Sequence, residues 1–215
     1  MTTLTDRYTP LFDDIAERLR SDGYAIIDDA FDPSLAPDLL GYAEALRASG
    51  DMQRAGIGRG DEQEQNTAVR KDRIHWLSSD SAAPASWLAA MEALRLHLNR
   101  RLFLGLFSYE SHIAHYSTGD FYKKHLDAFR GEANRILSTV YYLNPDWLPE
   151  NGGELAIFDE QDQLLQMVAP VANRLVIFLS EEFPHEVRPA RADRYSIAGW
   201  FRLNSTHQNR IDPPR

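Results

Sequence analysis

The chain has 215 residues, 43% hydrophobic and 26% charged, an ordinary composition for one folded domain with a substantial core. Its 32 acidic against 23 basic residues give a formal charge of -9, which repels phosphate backbones and argues against nucleic acid as a partner. With no cysteine, disulfides, zinc thiolate sites and cysteine nucleophiles are excluded, and any metal chemistry falls to histidine and carboxylate.

The opening MTTLTDRYTPLFDD lacks the basic-then-apolar order of a secretory leader, and no apolar run approaches the roughly 18 residues a bilayer span needs. A cytoplasmic location without membrane association is therefore expected. Leu11, Ile15 and Leu19 recur at helical spacing and predict a helix over 10–20, stopped by Gly23. A short strand follows at 24–27, and Asp32 or Ser34 is placed to cap a second helix through Leu35, Leu39, Tyr42 and Leu46. Residues 48–73 are polar and punctuated by glycine, which predicts a long surface loop of the kind that serves as a lid. The Gly56, Gly58 and Gly60 cluster within it has no strand before it and no helix signal after it, so it is not read as a nucleotide fingerprint. A third helix is predicted over 85–101.

From Ser108 onward the texture changes to SYESHIAHY, RILSTVYYLN, GGELAIF, RLVIFLS, HEVRPA and RYSIAGWFRL, short β-rich runs separated by turns. That pattern predicts a sandwich, barrel or jelly roll with the helices of the first half on one outer face, an α+β arrangement. The expected organisation is a single domain over 1–205, with 1–107 as helical support and lid loop and 108–205 as the β core. The polar stretch 206–215 is expected to be a flexible tail.

The chemistry starts at His125-Leu126-Asp127. Side chains two apart on a strand share a face, so one imidazole and one carboxylate converge. A third ligand is available in His185, at the start of a later strand. Two histidines and one carboxylate leave three positions of an octahedral ion open, the arrangement that non-haem iron(II) oxygenases use. A 2-oxo acid takes two of these and dioxygen the third, and the far carboxylate of 2-oxoglutarate then calls for a buried bidentate cation. Arg194, nine residues beyond His185, fits as part of the next strand of a hairpin, and Tyr142 adds a hydroxyl donor. Parity agrees: Ser138, Val140 and Tyr142 share one face of their strand, and Arg194, Ser196, Ala198 and Trp200 share one of theirs.

Plainer readings exist for several of these residues. Arg194 would also serve as a salt-bridge partner of Glu186 or Asp193. His97 and His207 read as surface residues, while His112 and His115 lie on opposite faces of one strand and read as ordinary hydrogen-bonded histidines. Arg70, Asp72 and Arg135 are solvated charges by default, and Trp76 and Trp200 are core or pocket aromatics.

The ordered set Tyr116-x-x-Gly119-x-x-Tyr122-x-x-His125-Leu-Asp127, Val140-Tyr-Tyr142-Leu-Asn144, Gly152-Gly153-Glu-Leu155, Pro184-His185-Glu-Val187 and Arg194 resembles the prolyl hydroxylase branch of the 2-oxoglutarate oxygenases. It is similar in particular to the hypoxia-factor prolyl hydroxylases and their bacterial relatives, over about 108–203. The resemblance implies a double-stranded β-helix core, iron(II) held by His125, Asp127 and His185, and 2-oxoglutarate held by Arg194 and Tyr142 with Tyr116 nearby. It also implies that Trp200 lines the metal pocket, with O2 as second cosubstrate and ascorbate as a candidate stimulant. Arg70-Lys-Asp72-Arg-Ile-His-Trp76 looks like that branch's substrate-facing loop, with lysine where glycine is expected, and Arg135 matches a rim position able to meet substrate. The bacterial branch includes enzymes that hydroxylate a proline of elongation factor Tu. The implied substrate is thus a prolyl residue of a protein, elongation factor Tu being a candidate, in a reaction of the prolyl 4-hydroxylase kind that releases succinate and carbon dioxide. The same chemistry on free proline or another amino acid is the first alternative; nucleic acid demethylation and a non-catalytic protein-binding domain are others. Closed-core β domains of this size occur as monomers and as dimers, so oligomeric state is left open.

Overall fold

Helix α1 (Leu4–Asp22) buries Phe12, Ile15, Ala16 and Leu19 along one stripe, the spacing of a helix with one core face. It begins earlier than expected, and Pro10 sits inside it at the cost of a backbone bond. Gly23 ends it at φ 77°, its N–H donating to the Leu19 carbonyl over 3.1 Å, a left-handed cap open to glycine. Ahead of α2 (Leu35–Ser49), Asp32 does the capping: its carboxylate accepts the Ser34 N–H at 3.0 Å and its carbonyl the Leu35 N–H at 2.9 Å. Helix α3 (Ala82–Leu102) buries Trp87, Met91, Leu94 and Leu98.

This computed structural model describes residues 4–56, 68–128 and 134–204. Gly58, Gly60, His207 and the expected tail lie outside them. The strands are β1 (Tyr24–Ile27), β2 (Gln53–Arg54), β3 (Arg73–Trp76), β4 (Ser108–Tyr116), β5 (Tyr122–His125), β6 (Arg135–Tyr142), β7 (Leu155–Phe158), β8 (Leu164–Val168), β9 (Leu175–Leu179), β10 (His185–Val187) and β11 (Arg194–Arg202). They form a seven-stranded sheet, ordered β1-β9-β6-β11-β4-β3-β2, and a four-stranded sheet, ordered β5-β10-β7-β8, with antiparallel pairing between these strands. This is a jelly-roll core with helices packed on one outer face, as the alternating pattern predicts.

Strand parity divides the interior into two layers. Odd positions of the large sheet, Ile113, Leu137, Tyr141, Ile197 and Phe201, pack with the helices, where Trp87 stacks on Tyr141 at 4.9 Å. Positions of the other parity, Ala114, Tyr116, Val140 and Tyr142, face the small sheet and its Leu155, Ile157 and Val187. The pocket opens in this second layer.

Four strands are not evident from sequence. β2 and β3 lie in or beside the segment expected as loop, β5 precedes the His-Leu-Asp motif, and β8 is an edge strand whose Leu164, Leu165 and Met167 are exposed. The expected hairpin between His185 and Arg194 is also corrected. β10 belongs to the small sheet and β11 to the large one, so the turn between them crosses from layer to layer and brings the two side chains toward each other across the pocket. His97, expected at the surface, is buried by α1 packing on α3 and meets Asp13 at 3.0 Å.

Candidate active site

Cross-strand register sets the two histidines side by side. His185 of β10 pairs with His125 of β5, and their rings lie 4.3 Å apart. Strand β5 ends at His125, so Asp127 is carried by the bend that follows and not by strand alternation, which corrects the reasoning from parity at this residue. Its carboxylate is fixed by the Ser138 hydroxyl, which donates to Oδ2 over 2.6 Å. The His125 Nδ1–H donates to the Lys123 carbonyl at 2.8 Å, and the His185 Nδ1–H to the Phe183 carbonyl at 3.0 Å. Both imidazoles are thereby held in the tautomer that leaves the Nε2 lone pair free.

Those lone pairs converge on the carboxylate. His125 Nε2 lies 3.6 Å from Asp127 Oδ1, and His185 Nε2 lies 3.6 Å from Oδ2; one ligand atom from each of the three residues falls within 4.8 Å of the others. A separation of 3.6 Å is too long for a hydrogen bond and near the ~3 Å edge that two ligands about 2.1 Å from one ion make at a right angle. Burial, with His125 beside it, pushes the His185 imidazole down to about 4 against the opposing pull of Asp127, so it is neutral and able to ligate at physiological pH. Burial alone would raise Asp127, but His185, His125 and the Ser138 hydroxyl outweigh it and hold the carboxyl well below its usual range. Two imidazoles presenting Nε2 and one carboxylate suit a first-row divalent ion.

Across the pocket lies Arg194, 1% exposed. Its Nε–H donates to the Gly153 carbonyl at 2.8 Å and one terminal nitrogen to Ser196 Oγ at 3.0 Å. No carboxylate among the described residues pairs with it. Glu186 is taken by Arg188 at 3.0 Å, and Asp193 by Arg47 and His115 at 2.8 Å each. The guanidinium stands 4.8 Å from the Tyr116 ring and 5.2 Å from that of Tyr142. The Tyr142 hydroxyl is buried without a hydrogen-bond partner, as is Trp200 Nε1. Burial pushes the Tyr142 phenol up to about 12, partly offset by Arg194, and it stays a donor.

At the mouth the plain readings of Arg70, Asp72 and Arg135 are corrected. The chain at 69–71 is tied to β5 and the residue before it through Lys123 N–H to Val69 and Lys71 N–H to Phe121, which takes the Arg70 and Asp72 side chains out of water. Asp72 is 1% exposed and grips Arg70 through two bonds of 2.6 and 2.8 Å. Arg70 lies over the Tyr122 ring at 4.3 Å, and that ring stacks on His125 at 3.6 Å. Arg70 lines the pocket and Asp72 stands behind it. Arg135 also lines the pocket, over the Trp200 ring at 3.7 Å and bound to Glu110 at 3.1 Å. Trp76 is 43% exposed at the rim, and His112 lies between it and Trp200. His115 is on the opposite face, against Tyr195.

Sequence reasoning passed over Ser138, Ser180, Glu110 and Tyr122. Two signals point toward them: the alternation that put Ser138 on the face of Val140 and Tyr142, and the place of Tyr122 in the ordered set ahead of His125, though neither gave these residues a role.

The model for the 2OG-Fe(II) oxygenase superfamily matches residues 111–202. Mouse prolyl hydroxylase EGLN3 is 32% identical over 170 residues, which cover 75% of this chain and 68% of that protein. Human Egl nine homolog 1 is 28% identical over 189 residues, 83% of this chain but 43% of that protein, so the chain spans under half of that relative. A Pseudomonas putida prolyl-4-hydroxylase superposes with a TM-score of 0.84 at 38% identity, over 90% of this chain and 100% of that one. A Trichoplax adhaerens prolyl hydroxylase, solved with a hypoxia inducible factor oxygen degradation domain peptide, gives 0.81 at 26%, over 91% and 90%.

The chain belongs to the 2OG-Fe(II) oxygenase superfamily, whose members use Fe(II), 2-oxoglutarate and O2. Within it, the chain falls in the prolyl hydroxylase branch. Among the described residues no helix is long and apolar enough to cross a membrane.

Proposed function

We propose that this protein hydroxylates a prolyl residue of a protein substrate, with His125, Asp127 and His185 holding Fe(II) and Arg194 holding the far carboxylate of 2-oxoglutarate. The carrying observation is Arg194. A guanidinium that is 1% exposed and has no carboxylate among the described residues calls for an anionic ligand, because burying an unpaired charge costs several kcal/mol. It lies in the same pocket as the three converging donors.

Bound Fe(II) supplies the redox chemistry that couples oxidative decarboxylation of 2-oxoglutarate, to succinate and CO2, with insertion of one oxygen atom of O2 into a C–H bond of the proline ring. The chain's own residues bind and orient. Arg194 has N–H donors to spare for a carboxylate after serving Gly153 and Ser196, and Tyr142 adds its unsatisfied hydroxyl, with Tyr116 beside it. Trp200 closes the pocket on the side of Arg135, and burial in this layer keeps water from the reacting atoms. Arg70, braced by Asp72, and Arg135, braced by Glu110, form charged walls at the mouth, a place where an extended peptide would be gripped. The catalytic unit is residues 1–205, and elongation factor Tu, a cytoplasmic protein, is the candidate substrate.

The test is peptide mass spectrometry of elongation factor Tu incubated with Fe(II)-loaded enzyme, 2-oxoglutarate and air. The expected result is one added oxygen on a proline, absent with His185→Ala. No added oxygen alongside normal succinate release would refute that substrate while leaving the oxygenase chemistry standing.

A further inference from the structure

The carboxylate of Asp127 is the least constrained of the three candidate ligands by its backbone, because β5 ends at His125. Its side chain is anchored from the opposite sheet. Ser138, in the middle of β6, donates to Oδ2 at 2.6 Å, and the Ser138 oxygen is 2.9 Å from Ser180 Oγ. Both serines are buried, Ser138 at 1% exposure and Ser180 at 0%. Ser180 sits just past the end of β9, and its backbone N–H donates to Ile136 at 3.0 Å, which delivers its hydroxyl to Ser138. The direction of both bonds follows from chemistry. An ionised carboxylate only accepts, so Ser138 spends its one proton on Asp127, and Ser180 must donate to the Ser138 oxygen.

We infer that Ser138 and Ser180 form a two-hydroxyl relay that commits Oδ2 of Asp127 to the protein and offers Oδ1 alone to the ion. The inference rests on the reading of His125, Asp127 and His185 as metal ligands. Its consequence is a count. A carboxylate free to offer both oxygens occupies an additional position on the ion, whereas 2-oxoglutarate and O2 together need three open ones. The relay keeps the protein's donor atoms at three. It also holds the carboxylate in place before the ion arrives, through a charge-assisted hydrogen bond, so that the cost of ordering it does not fall on metal binding. Ser138 and Ser180 are thus positioning residues, acting through Asp127.

A purely structural pair of buried hydroxyls would affect folding and leave metal affinity alone, which separates the two roles. The experiment is anaerobic titration of the metal-free protein with Mn(II), read as free Mn(II) by electron paramagnetic resonance, together with melting curves. Ser138→Ala is expected to bind Mn(II) about 10- to 100-fold more weakly than the unaltered protein, the usual effect of losing a ligand's hydrogen-bond partner. Ser138→Thr, which keeps the hydroxyl, should recover most of that loss, and Ser180→Ala should fall between. Under saturating metal, Ser138→Ala should also weaken the visible charge-transfer absorption that a 2-oxo acid gives on chelating Fe(II). Equal Mn(II) affinity in Ser138→Ala and the unaltered protein would overturn the relay, as would a failure of Ser138→Thr to bind better than Ser138→Ala. If the unaltered protein itself binds no Mn(II), the metal-site reading fails, and the relay with it.

Discussion

At the scale of single residues, chemistry that needs a particular side chain on a strand was legible, and chemistry built from ordinary side chains was not. His125, Asp127, His185 and Arg194 are uncommon choices for a layer facing a core, and the structure brings them into one pocket, with the Tyr142 ring buried 5.2 Å from the Arg194 guanidinium. Ser138 and Ser180 are unremarkable in sequence, because a buried serine declares its partner only once strands are paired. Arg70 and Asp72 read as solvent charges because nothing local says that the chain will fold them against β5; once desolvated, each offsets the burial of the other. Replacing Arg194 by Lys keeps the charge but removes the planar fork, and the dissociation constant for 2-oxoglutarate should rise by at least about 10-fold, the worth of one charge-assisted bond, in a direct binding titration on Mn(II)-loaded protein. His112 is pushed down to about 4, first by burial and then by Arg70, whereas an unfolded histidine titrates near 6.5. Between those values the unfolded chain takes up the proton and the native chain does not, so stability should fall as pH drops from about 6.5 toward 4. Urea unfolding at pH 7 and pH 5 should show a smaller loss for His112→Leu than for the unaltered protein.

At the scale of elements, alternation in β6 and β11 grouped the residues that share a face, and the structure turns the faces of Val140 and Arg194 toward the pocket; in β4 alternation separated His112 from His115 without saying which of them meets the pocket. The strands that escaped are short or atypical. β2 has two residues, β5 carries two lysines in four positions, and β8 shows Leu164, Leu165 and Met167 to solvent and buries only Val168 of its apolar residues. The crossing from β10 to β11 was taken for a hairpin because Arg194 lies nine residues beyond His185, a spacing that permits one; only the pairing of His185 with His125 and of Arg194 with Tyr116 separates the sheets. Gly199 in β11 shows how tightly these strands are matched. A Cβ there would collide with the Tyr109 hydroxyl and with Ser111, where Tyr109 meets Thr139 at 2.8 Å. Gly199→Ala should therefore destabilise the protein by about 1–3 kcal/mol, the usual cost of overpacking, seen as a lower denaturation midpoint. No loss would mean that β11 can shift and that the register is softer than described.

At the scale of the whole molecule, composition excluded thiolate metal sites and disfavoured nucleic acid, and the order of helical and β-rich segments gave the class of architecture. It did not separate sandwich, barrel and jelly roll, because that choice depends on strand order, which is a long-range property. The jelly roll matters for function because it sets two sheets face to face, with the candidate ligands on the small sheet and the bend after β5 and Arg194 on the large one. In the proposed reaction these two ends of one pocket act together. Its most direct test is conversion of isotope-labelled 2-oxoglutarate to succinate, followed by nuclear magnetic resonance, in Fe(II)-loaded protein and in Asp127→Ala, with elongation factor Tu present. Conversion by the unaltered protein and none above background by Asp127→Ala is the expected result. Equal conversion by both, or none by either, would contradict it.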